Sequence, residues 1–179
     1  MHDLTKFLDF RLAAGGHVSP DGLGNVCATE AAIIAAGLEY RPVGGAHALP
    51  SCFSRVIGQF VIHLNDEMPD DVRQRLLPFV TRLAGTAASP DVEFARGDFL
   101  AGLCERPPIS RAVSSLHRQL LLVRTANNAA VEFAARSDWD GALKALDHLL
   151  AIGAKPPSVN VDIAVQRLSE AREAAHVPA

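Results

Sequence analysis

Between residues 53 and 64 the apolar side chains Phe53, Val56, Ile57, Phe60, Val61 and Leu64 recur every three or four positions. That period places them on one face of an α-helix. The same spacing returns along the chain, and strict alternation of apolar and polar residues is almost absent. Alanine and leucine dominate the apolar positions, and both cost little to place in a helix. The fold expected is therefore all-α, a compact helical domain of about eight helices ending in an αα-hairpin unit.

Glycine, proline and capping residues divide the chain into its elements. A short amphipathic helix is expected over 3–13, with Leu4, Phe7, Leu8 and Leu12 on one side, and loop over 15–24. Asn25 is placed to cap a helix running to Ala36 and stopped by Gly37. That helix is apolar nearly all round, which implies burial. Residues 39–50 read as an irregular connection in which a short strand over 39–43 is conceivable. Ser51 is placed to cap the helix that carries the Phe53–Leu64 stripe. Pro69 suits the first position of the next helix, with Asp70 and Asp71 at its positive dipole end and a kink expected at Pro78. Ser89 and Pro90 open a further helix that ends before Arg106-Pro107-Pro108. A long helix is expected from Ser110 to Ala135, one capped by Ser137 and closed by Gly153, and a last one over 158–175. The chain then divides into an N-terminal helical module, 1–105, and a C-terminal helical hairpin unit, 109–179, within one continuous domain.

Composition narrows the function classes. Half of the 179 residues are apolar, 49%, and 21% are charged, the balance of a globular protein with a real core. A formal net charge of -3 gives no overall field toward nucleic acid or an acidic membrane. Arg106, Arg111, Arg118 and Arg124 could line one helix face, but stacking aromatics are lacking, so a solvated face is expected and nucleic acid is not the expected partner. Three widely spaced cysteines, Cys27, Cys52 and Cys104, do not make a disulfide framework. The opening MHDLTKFLDF lacks a signal-peptide core, and no stretch is apolar enough to span a membrane, so a cytoplasmic protein is expected. Phosphate-cradling glycine loops and the H-E-x-x-H zinc motif are missing, and no cofactor is expected.

Two segments resemble known patterns. Residues 25–90 carry Cys27, Glu30 and Ala31, then Ala36-Gly37, Pro50 and Cys52, Asn65-Asp66 and the run RQRLLPFVTRLAGT from Arg73 to Thr86. This resembles a recurrent family of uncharacterised bacterial and phage-associated proteins. The resemblance implies that 25–90 is one structural module and implies no activity. Residues 133–156, with Trp139, Ala142, Leu146, Leu150 and Pro156, resemble a single tetratricopeptide-like hairpin. One copy without a second at the repeat period reads first as an ordinary αα-hairpin.

The chemistry-bearing candidates cluster near the second helix. A thiol at a helix N-terminus has its pKa lowered by the dipole, so Cys27 is a candidate nucleophile, with His47 or His63 as base and Asn65 or Asp66 as orienter. The reading the sequence favours is a small buried residue filling the core. Cys27, His47, Cys52 and His63 are also candidate zinc ligands, although they lack the short paired spacing of structural zinc sites. Glu30 lies one turn beyond Cys27 on a helix made for burial. A buried acid there must find a partner or shift its pKa, and Arg41, Arg55 and Arg73 are the candidate partners; the alternatives are a structural ion pair, exposure on the one wet edge of the helix, or a place in the same candidate catalytic set. The leading functional reading is a non-catalytic helical binding or interaction protein acting on a protein partner, a homo-oligomer or a regulatory partner. A thiol-dependent enzyme and a metal-binding protein are the alternatives.

Overall fold

The structure, a computed structural model, describes residues 11–16, 26–112, 114–154 and 159–175. Among these the chain is all-α, with seven helices where eight were expected. They are α1 (Ala28–Ala35), α2 (Arg55–Glu67), α3 (Leu77–Leu83), α4 (Pro90–Leu103), α5 (Ser115–Arg136), α6 (Trp139–Ala151) and α7 (Val161–Ala175). Most of the expected 3–13 helix and of the 15–24 loop lie outside the described residues. Residues 11–13 are not helical, and Leu12 instead meets Val26 in an isolated parallel bridge.

Helix α2 is the hub, packing on α5 above all and also on α1, α4 and α6. Its stripe is wider than the sequence suggests, since Gln59 and Asn65 are buried with the apolar residues. Phe60 of α2 meets Phe133 of α5 edge to face at 6.1 Å. Helix α1 lies among α2, α3 and α7, and seven of its eight residues are buried, as its all-round apolar character requires. One hydrophobic cluster runs without a break from Leu12 to Leu168. Gly97 sets the closeness of α4 and α5, because a Cβ there would sit 2.3 Å from a Leu122 methyl and 2.8 Å from Ile109.

Several boundaries differ from the expected ones, each for a local reason. The cap of α1 is Cys27; Asn25 lies outside the described residues. The cap of α2 is Ser54, whose hydroxyl accepts from the Ile57 N–H at 3.2 Å, and Ser51 sits in the turn before it. Pro69 is the cap rather than the first helical residue of the segment that follows. Pro78 breaks that segment instead of kinking one helix. A single α-turn, Asp70–Arg73, and a 3-10 turn, Gln74–Leu76, lead into α3, where proline's missing N–H costs nothing in the first turn. Ser137 adopts a left-handed conformation at the end of α5, φ 53°, and Asp138 caps α6 through the Gly141 N–H at 2.9 Å. The long helix α5 starts at Ser115, so Arg106 and Arg111 lie outside it and the four arginines do not share a helix face. No strand forms at 39–43.

Gly37, Gly85 and Gly153 end their helices at positive φ, as read from the sequence. At Gly37 the reason is complete. Its N–H bonds Ile34 O at 2.8 Å and the Leu38 N–H bonds Ile33 O at 3.1 Å, a Schellman turn that needs φ +69°. Arg167 of α7 donates to Ala35 O at 3.0 Å, setting a cation against the negative end of α1. Among the described residues no helix is long and apolar enough to cross a membrane.

Candidate functional site

The start of α1 brings together the residues that the sequence singles out. The first N–H groups of a helix have no partner within it and must find one elsewhere. Here those of Cys27, Ala28 and Glu30 are each matched by a side chain. The Glu30 N–H donates to Cys27 Sγ at 3.5 Å, and the Glu30 carboxylate reaches back to the Cys27 N–H at 3.0 Å. This is a reciprocal capping box in which a thiol stands where a serine or threonine hydroxyl is usual. The Ala28 N–H donates to Asn65 Oδ1 at 3.0 Å. Asn65 therefore caps α1 from across the core. Its amide nitrogen donates to Ala13 O at 2.8 Å, and Asp66 accepts from the Gly15 N–H at 2.8 Å.

Glu30 is fully buried and does more than close a helix end. Its second oxygen accepts from the Val43 N–H at 3.1 Å, which ties the 39–50 connection to α1. Two of the arginines expected to pair with it act elsewhere. Arg73, 4% exposed, donates to Asn65 O at 2.6 Å and Met68 O at 2.7 Å and pairs with Asp70. Arg55 donates to Ala46 O and to Leu49 O, and Arg41 is exposed. These arginines hold carbonyls at chain turns, a task for which the forked guanidinium is suited.

Cys27 is 2% exposed, and its sulfur lies 3.1 Å from Thr29 Oγ1. Burial, and next the Glu30 carboxylate, push the thiol up to about 12 against an ordinary value of 9.0. The helix-start position was expected to lower it. The dipole is outweighed because the charged form would sit in the core beside a carboxyl group. Tyr40 is pushed up to about 12 by burial first and by Glu30 next.

The other candidates do not join this arrangement. His47 stands exposed in a 3-10 turn, Ala46–Ala48, while His63 and Cys52 are half-buried. Among the described residues, which include Cys27, His47, Cys52 and His63, no group of three or more His, Cys, Asp or Glu side chains is placed to hold a metal ion.

A second buried polar centre escaped the sequence reading. Arg96 of α4 is 1% exposed and pairs with Glu93 at 2.6 Å. It donates to Thr86 O and Ile152 O, each at 2.8 Å, and to Leu149 O at 3.3 Å, closing the end of α6. Glu93 in turn accepts from the Ser54 hydroxyl at 2.8 Å, so the start of α2 and the end of α6 share one hydrogen-bonded chain. The spacing of Glu93 and Arg96 was the available signal, since residues three apart share a helix face. Near the start of α5, Arg111 and Arg118 both lie over the Phe94 ring, at 5.3 and 5.8 Å.

Comparison with known protein families, with curated proteins and with solved structures finds no match to this chain.

Proposed function

We propose that this chain is a non-catalytic helical binding protein that acts through a protein partner. The observation that carries the reading is a contrast between inside and outside. The thiol and carboxylate that could do chemistry are sealed at the start of α1 and engaged with backbone N–H groups. The outside of α5 meanwhile presents Leu116 at 68% and Leu120 at 60% exposure, one turn apart. Adjacent exposed apolar side chains on one helix face mark contact surfaces more often than isolated ones do. The free state of all three cysteines supports a cytoplasmic setting.

The test is affinity capture with the wild-type chain and with a Leu116→Glu/Leu120→Glu double variant, followed by sizing of whatever is retained. A complex of defined stoichiometry that the double variant loses supports the reading. A chain that forms no complex with any protein, itself included, sinks it.

A further inference from the structure

The segment 11–16 is held against the end of α2 and the 3-10 turn Gln74–Leu76, and it is held by its main chain. The Leu12 N–H donates to Gln74 Oε1 at 2.8 Å, and Gln74 Nε2 donates back to Leu12 O at 3.0 Å. Asn65 Nδ2 donates to Ala13 O at 2.8 Å, and Asp66 Oδ1 accepts from the Gly15 N–H at 2.8 Å. The Ala13 N–H donates to Val26 O at 3.0 Å, beside the parallel bridge of Leu12 and Val26. Of the side chains, Leu12 alone is sunk in the core, at 3% exposure, while Arg11 and Ala14 are exposed and Ala13 is half-buried.

The receiving amides have partners of their own. Gln74 Nε2 also donates to Asp70 O at 2.9 Å, and Asn65 Oδ1 accepts from the Ala28 N–H at 3.0 Å. The fold thus orients each amide and leaves its remaining groups turned to the segment. Preset donors and acceptors for an extended main chain, with a pocket for one apolar side chain, are how proteins recognise extended peptides. We infer that this groove is a peptide-binding site, that 11–16 is the chain's own occupant, and that an extended segment of a protein partner takes its place. The surface is not that of the α5 leucines, so the inference goes beyond the reading above. The fit defines the partner segment. A leucine fills the pocket and a small residue follows it. Two glycines come next but one, because Gly15 stands at φ 83° and a Cβ on Gly16 would lie 3.0 Å from Val43 O. Everything else that holds the segment is main chain, and any segment with that pattern offers the same groups.

The probe is a peptide of residues 11–16, RLAAGG, with fluorescein at its N-terminus and an amidated C-terminus. It is titrated into the full chain and followed by fluorescence anisotropy. The tethered segment competes at an effective concentration on the order of millimolar, so the wild type should bind the probe weakly. Leu12→Ala removes the anchor of the tethered segment and leaves the groove whole, so it should tighten probe binding by at least about tenfold. Adding Gln74→Ala strips the groove of both its contacts to the leucine main chain and should cancel that gain. A probe carrying Leu12→Asp should bind none of these chains. A Leu12→Ala chain that keeps the wild-type far-ultraviolet dichroism and binds the probe no tighter than the wild type overturns the inference, as does a gain that survives Gln74→Ala. If Leu12→Ala loses that dichroism, Leu12→Val trims the same anchor by one methylene and is read by the same two criteria, with a gain of about threefold expected. Either failure leaves the α5 reading standing, since that is decided by the Leu116→Glu/Leu120→Glu variant.

Discussion

At the scale of single residues, Cys27 and Glu30 are held at one helix start by the backbone groups around them. Each group is explained by the backbone donors it serves. Removing the carboxylate with Glu30→Ala should leave the Cys27 and Val43 N–H groups buried without their acceptor, at a cost of about 3 kcal/mol measured by chemical denaturation. Glu30→Gln should recover only part of this, because one of its two ends is a donor facing a donor. The thiol gives a pH signature. Its folded-state value, about 12, lies above the ordinary 9.0. The folded chain therefore holds the proton longer than the unfolded one, and this share of stability is complete below pH 9 and falls as pH rises toward 12. The slope is about 1.4 kcal/mol per pH unit for one such proton. Cys27→Ser keeps a capping side chain and should flatten the alkaline fall by about that slope, read from denaturation midpoints across the alkaline range. The sequence showed that Cys27 and Glu30 share a face and that the acid needs partners. It could not show that those partners are main-chain groups, one of them thirteen residues away at Val43, because that contact depends on how the 39–50 connection returns to α1.

At the scale of elements, the helices are held at their ends as much as along their sides. Arg96 joins Thr86, Leu149, Ile152 and Glu93. Arg96→Met fits the space of the stem but strands Glu93 in a half-dry setting, and should cost about 3–5 kcal/mol by thermal or urea unfolding. Gly37→Ala should cost about 1–2 kcal/mol for the left-handed backbone alone. It should also push the Arg167 guanidinium off Ala35 O, since the new Cβ would lie 2.5 Å from that group. Two exposed ion pairs, Arg75 with Asp140 and Arg82 with Asp147, are seven residues apart on both sides. They show that the segment 75–82 runs parallel to α6 and contribute little to stability themselves. Helix existence was legible from period and punctuation for all seven helices, and so were the stops at Gly37, Gly85 and Gly153. The starts were less so. Ser51 and Ser54, or Ser137 and Asp138, are equivalent capping residues by chemistry, and the choice between them is made by the turn that delivers the chain.

At the scale of the whole molecule, one core unites the parts. Helix α5 is buried chiefly against α2, so the hairpin of α5 and α6 depends on the N-terminal half for its burial. Residues 109–179 expressed alone should show little helical dichroism and no cooperative unfolding transition, whereas the full chain should unfold in one. The exposed leucines of α5 stand on the outside of that core. The claim that this is a binding protein rather than a thiol enzyme is tested most directly by labelling the native chain with iodoacetamide at neutral pH and following each cysteine peptide by mass spectrometry. A buried thiol held protonated reacts slowly, because the thiolate is the nucleophile. Cys27 should therefore stay unmodified until denaturant is added, while the half-buried Cys52 reacts first. Preferential rapid modification of Cys27 in the native protein would contradict the account.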